Sequence, residues 1–70
     1  MSDRIAVWSE VDRLPDRQRQ VIYLRYRADL AYEEIGQALG ITAGAARSHA
    51  AQAVERLRAA LAGGIEDVAP

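Results

Sequence analysis

The fold turns on the stretch Tyr32-Glu33-Glu34-Ile35-Gly36-Gln37-Ala38-Leu39-Gly40-Ile41-Thr42-Ala43-Gly44-Ala45-Ala46-Arg47-Ser48-His49. Ile35 and Leu39 stand four residues apart and give a short helix over 32–39 one apolar side. Gly40 supplies the left-handed residue that commonly closes a helix, and Thr42 is a favoured N-cap for the next one. From Ala43 to Ala62 the chain reads as one long helix. Its Ala46, Ala50, Ala53, Val54, Leu57 and Leu61 gather on a single stripe at about 100° per residue. Gly44, Ser48, Ala51, Gln52 and Glu55 lie opposite, with Arg47 on one flank and His49 on the other. A buried stripe that opens with alanines lets this helix sit close to its neighbour at its N-terminal end. A short helix, a glycine turn and a close-packed longer helix make a helix-turn-helix, whose second helix presents its first turns to a DNA major groove. Spacing alone leaves a generic four-helix bundle as the alternative.

Upstream, Ile5, Val7, Trp8, Val11 and Leu14 recur at three- and four-residue steps, predicting a first helix capped by Ser2 or Asp3. Leu14-Pro15 ends it, because a residue before proline is biased away from helical geometry. Pro15 then opens a second helix, where its missing N–H costs nothing, and Asp16 complements the helix dipole. Leu14, Val21, Leu24 and Ala28 fall on one side of that helix. Ile22, Tyr23 and Tyr26 fall outside the stripe, bordered by Trp8, and are candidates for a partner surface. Gly63-Gly64 is expected to stop the long helix, which divides the chain into one domain over 1–62 and a flexible tail over 63–70. The fold class is therefore all-α, four helices with a helix-turn-helix.

Composition agrees. Seventy residues hold one small domain. Fourteen are alanine, none is phenylalanine, and all nine positive charges are arginine. No cysteine is present for a disulfide or thiolate site, and the single His49 excludes a multi-histidine metal centre. No metal or other cofactor is expected. Apolar runs fall short of the roughly 18–20 residues a membrane span needs, and the N-terminus lacks a signal-peptide pattern, so a cytoplasmic location is expected. The net charge of −1 hides an uneven distribution: residues 15–62 carry seven arginines against five acids. Arg17, Arg19, Arg25 and Arg27 lie together with no acid among them, a local basic patch.

Enzymatic chemistry finds no support in the pattern. Glu33 and Glu34 are adjacent and point to different sides of a helix. His49 has no acid three or four residues away, and no glycine-rich phosphate loop follows a strand. Neither catalysis nor a small-molecule substrate is expected.

Taken in order, these blocks resemble region four of bacterial sigma factors of the sigma-70 family, extracytoplasmic-function type. Leu14-Pro15-Asp16-Arg17-Gln18-Arg19-Gln20-Val21-Ile22-Tyr23-Leu24-Arg25-Tyr26 is similar to that region's opening. Leu30-Ala31-Tyr32-Glu33-Glu34-Ile35-Gly36 resembles its Leu-Ser-Tyr-x-Glu-Ile-Ala block, and Leu39-Gly40-Ile41-Thr42-Ala43-Gly44 its turn. Arg47-Ser48, followed by Ala53, Leu57 and Arg58, resembles its recognition helix. The likeness covers roughly residues 7–61. A LuxR-type regulator domain is the nearest alternative, since Arg47-Ser48-His49 resembles its motif; Leu14-Pro15 and Glu55-Arg56-Leu57-Arg58 fit sigma region four better. A helical module that binds a regulator and no DNA is the third.

The resemblance implies recognition of the promoter −35 element, docking on the RNA polymerase β flap and, in many relatives, capture by an anti-sigma factor. Region two is not among these residues, so the chain is expected to act as one module of the sigma architecture, excised or stand-alone. Thr42, Gly44, Arg47, Ser48 and Gln52 are the expected DNA contacts on the recognition helix, with Arg17 and Arg19 on flanking backbone. Trp8, Ile22, Tyr23 and Tyr26 are the expected partner contacts. Arg25 is expected to pair with Glu34 or Glu33 between helices. Ala31 stands where the family prefers a serine or threonine cap, a loss of about 0.5–2 kcal/mol unless Asp29 substitutes. Gly36 replaces a usual alanine, at up to ~1 kcal/mol.

Overall fold

The computed structural model describes the backbone of residues 2–68 and the side chains of residues 6–62. Helix α1 spans Ser2–Asp12, α2 Asp16–Ile22, α3 Tyr32–Leu39 and α4 Ala43–Val68, and a π-helical turn over Tyr23–Arg27 continues α2. No strand occurs among the described residues. The cap expected at Ser2 or Asp3, and the side chain of Ile5, fall outside what the structure describes. Helix α4 is the long axis of the molecule; α3 and α2 pack on its N-terminal half, and α1 crosses it further along.

Pro15 sits at the N-cap of α2, one position ahead of the expected first helical residue, with extended geometry (φ −53°, ψ 150°). Its carbonyl accepts the Arg19 N–H at 2.9 Å, so the ring still precedes any backbone donor the helix needs. Two apolar clusters flank α2. Val11, Leu14, Ile22 and Ala53 form one, with Val7, Trp8, Tyr23 and Leu57 against it. Val21, Ile35, Ala46 and Ala50 form the other, with Leu24, Leu30, Tyr32, Leu39 and Ile41 around it. Helix α2 is thus covered on two sides and buries two stripes. This corrects the expected partner face: Ile22 is 3% exposed and belongs to the core.

The end of α2 also departs from a plain helix. The Ala28 N–H reaches the Tyr23 carbonyl at 3.1 Å, and the Leu30 N–H reaches back to Leu24 at 3.0 Å. Asp29 closes the turn in the left-handed region (φ 60°), a conformation a short polar residue tolerates. Asp29 is therefore a turn residue and not the substitute cap of α3. No side chain caps α3 in its place; Glu34 Oε1 instead accepts the N–H of the cap residue Ala31 at 2.8 Å. It is half of a capping box: alanine at the cap has no oxygen to return the bond.

At the other end, Gly40 closes α3 in the left-handed region (φ 71°) as expected. Helix α4, in contrast, runs through Gly63-Gly64 to Val68 instead of stopping at Ala62. Glycine in a helix interior costs about 1 kcal/mol but does not forbid the next hydrogen bond, and no proline intervenes before Pro70. The expected flexible tail over 63–70 concerns side chains and terminal residues outside those described. Among the described residues no helix is long and apolar enough to cross a membrane.

Candidate nucleic-acid interface

Thr42 builds the start of the interface. Its Oγ1 accepts the Ala45 N–H at 2.9 Å and its carbonyl accepts the Ala46 N–H at 3.0 Å. The N–H groups of Ala43 and Gly44 have no acceptor within their own helix. They stand at the positive end of the α4 dipole, where a phosphate is stabilised. Thr42→Ala is expected to lower stability by about 1 kcal/mol while Thr42→Ser changes little; urea denaturation followed by helix ellipticity separates the two.

Gly44, Arg47, Ser48, Ala51, Gln52 and Glu55 are exposed along one side of α4. Gln52 is turned toward α2: its Oε1 accepts a hydrogen bond from Gln18 Nε2 at 3.2 Å. Gln18 is 8% exposed. Its Oε1 and the Nδ1 of His49 are buried without a partner among the described residues. The α2–α4 seam is therefore polar at this point; Gln52 remains exposed, and that bond does not use its Nε2. The expected pair of backbone-holding arginines also separates. Arg17 Nη1 lies 3.4 Å from the Leu39 carbonyl, beside the Gly40 turn. Arg19, two residues and about 200° away on the helix, pairs with Asp16 at 3.0 Å. Only Arg17 faces the helix-turn-helix.

The expected bridge from Arg25 to Glu34 or Glu33 is absent among the described residues. Glu34 is engaged at the Ala31 N–H. Arg25 Nη1 instead donates to the Leu30 carbonyl at 3.0 Å, and its guanidinium lies 4.7 Å from the Tyr32 ring centre. Arg47 approaches the same ring at 5.1 Å. Sequence reasoning missed Tyr32, since its partners lie seven and fifteen positions away across two turns. The one available signal was an aromatic residue at the first position of the short helix.

The partner-surface residues likewise divide. Trp8 and Tyr23 meet at 5.2 Å between ring centres, with Arg27 4.8 Å above Trp8. The Tyr23 hydroxyl donates to Asp12 Oδ1 at 2.6 Å. That hydrogen bond, desolvation and the carboxylate's charge raise the phenol's pKa above its ordinary value. Tyr26, 58% exposed, lies on a different flank, in a shallow hollow of about 320 Å³ with Tyr32, Arg47 and Val54.

A turn built on Gly40, a Thr42-capped helix and α3 packed across it define a helix-turn-helix domain. Residues 11–59 match the sequence model of Sigma-70, region 4, and the chain belongs to that family. This decides between the sigma and LuxR-type readings. The chain is also 41% identical over 56 residues to the ECF RNA polymerase sigma factor ShbA of Streptomyces griseus, a match covering 77% of this chain and 29% of that protein. The chain thus matches under a third of the length of this curated relative. No solved structure matches it.

Proposed function

We propose that this chain reads the −35 element of a promoter and docks on the β flap of RNA polymerase, as the region-four module of a sigma factor. The observation that carries the DNA reading is the exposed start of α4. The capped helix end, Arg47 and Ser48 face outward together, with Arg17 at the adjoining turn. Arginine offers two parallel donors to guanine O6 and N7, while the helix end and Arg17 take flanking phosphates. So few cations neutralise few phosphates, so binding by this chain alone is weak and falls steeply with salt. Attachment to polymerase raises its effective concentration at the promoter.

The docking half rests on the Trp8–Tyr23 pair capped by Arg27, an aromatic and cationic patch of the kind enriched at protein interfaces. An anti-sigma protein would compete for this patch. Retention of the chain by immobilised β flap, and its loss in Trp8→Ala, is the expected result.

For DNA, a fluorescent −35 duplex is titrated at low and moderate salt. Arg47→Ala is expected to weaken binding by roughly 5- to 150-fold, the range of one bidentate base contact. Equal binding by the two proteins rejects Arg47 as a reader. Absence of binding even at low salt favours a module that engages only proteins.

A further inference from the structure

We propose that Tyr32 is a positioning residue that sets the Arg47 guanidinium for base recognition, with Arg25 as the group that charges the site; this rests on the DNA reading above. Arg47 is exposed, and an exposed arginine samples many rotamers unless something holds it. Among the described residues it has no carboxylate partner. The ion pairs among the described residues are Arg13–Glu10, Arg19–Asp16 and Arg58–Glu55, the last engaging the acid nearest on the same face. What Arg47 has is the Tyr32 ring, 5.1 Å from its guanidinium carbon.

That contact holds the side chain without consuming its donors. A guanidinium over an aromatic ring is attracted through its face, and its N–H groups lie in its plane, free for an acceptor. A carboxylate would occupy the same fork that guanine needs. The ring is itself fixed: Tyr32 is half-buried against the cluster of Val21, Ile35, Ala46 and Ala50. The second cation completes the arrangement. Arg25, anchored on the Leu30 carbonyl at 3.0 Å, lies 4.7 Å from the same ring. Two like charges on one ring repel, and an acceptor-rich guanine edge brought to Arg47 relieves that repulsion.

The test uses the 70-residue chain, fluorescent −35 duplexes and matched duplexes with each G·C pair replaced in turn. Tyr32→Leu keeps the apolar contact and removes the ring's charge pattern, whereas Tyr32→Phe keeps both. Tyr32→Leu is expected to reduce discrimination at one G·C pair by about 2- to 5-fold, the size of one exposed cation–π contact, and Tyr32→Phe to retain it. In an Arg47→Ala background, Tyr32→Leu is expected to have no further effect on discrimination. An equal loss in both backgrounds, or a uniform weakening across all duplexes, overturns the proposal in favour of a structural or phosphate-holding role.

A readout without DNA keeps the two readings apart. Ring currents should shift the Arg47 Cδ protons upfield in the wild type and in Tyr32→Phe, but not in Tyr32→Leu. Unshifted protons in the wild type overturn the positioning role and leave the DNA reading standing. Shifted protons with indifferent binding by Arg47→Ala reject Arg47 as a reader and this inference with it, whereas absence of duplex binding even at low salt overturns the DNA reading.

Discussion

Ile35→Ala is expected to leave little folded protein at 25 °C. Ile35 is fully buried between Val21 of α2 and Ala46 and Ala50 of α4. Truncating a buried isoleucine costs about 2–5 kcal/mol, and more where the site cannot collapse. This site collapses poorly, because the α4 side chains facing it are alanines with no length to swing into the void. A domain of this size draws only about 3–5 kcal/mol from its core, so the loss approaches the whole. The seam between α3 and α4 also fixes the helix-turn-helix angle, so DNA binding falls with the fold. Urea denaturation is the measurement, with half-buried Val54→Ala as the control expected to cost far less. A loss below about 1 kcal/mol for Ile35→Ala would show that the seam relaxes freely, against the packing described.

Much of this was legible in the sequence. Ile35 and Leu39 four apart, Gly40 and Thr42 specify α3, its stop and the next start through local rules that tertiary contacts do not override. The alanine-then-leucine stripe of α4 was equally clear in register. Features that depend on two elements meeting were hidden. Val21 and Ile22 are neighbours in sequence, and a one-stripe reading can bury only one; α2 buries both because α1 and α3 cover it from different sides. The π-turn rests on Asp29 adopting positive φ and on Arg25 reaching the Leu30 carbonyl. Neither leaves a periodic trace. The interface followed the same division. Thr42 acts as a cap by a local rule, and Arg19 pairs with Asp16 at the i,i+3 spacing of one helix, whereas Gln52 meets Gln18 across two helices, a partner that spacing on one helix does not rank.

Gly36 is the sharpest case, and alanine substitution there is expected to have the opposite sign to the same change at Gly44. By propensity alone both should stabilise, by up to ~1 kcal/mol each. A Cβ at Gly44 would meet nothing nearer than Thr42 Oγ1 at 3.9 Å, so that gain is expected in full. A Cβ at Gly36 would lie 2.5 Å from the Ile41 carbonyl oxygen and 3.2 Å from the Thr42 carbonyl carbon. These are backbone atoms, with no flexible side-chain end to yield. The turn is also tied to Gly36 itself, whose carbonyl accepts the N–H groups of Gly40 and of Ile41, the latter at 2.9 Å. Moving the turn away stretches those bonds; leaving it keeps the clash. Overpacking of this kind costs about 1–3 kcal/mol, which outweighs the propensity gain. For a domain this small, each kcal/mol moves the melting temperature by about 4–8 °C. Gly44→Ala should therefore melt a few degrees above the wild type and Gly36→Ala below it. The glycine that sequence reasoning counts as a weak point in α3 is what lets Thr42 and the start of α4 approach that helix. If both variants melt above the wild type, the close approach at Gly36 is not a constraint on the fold.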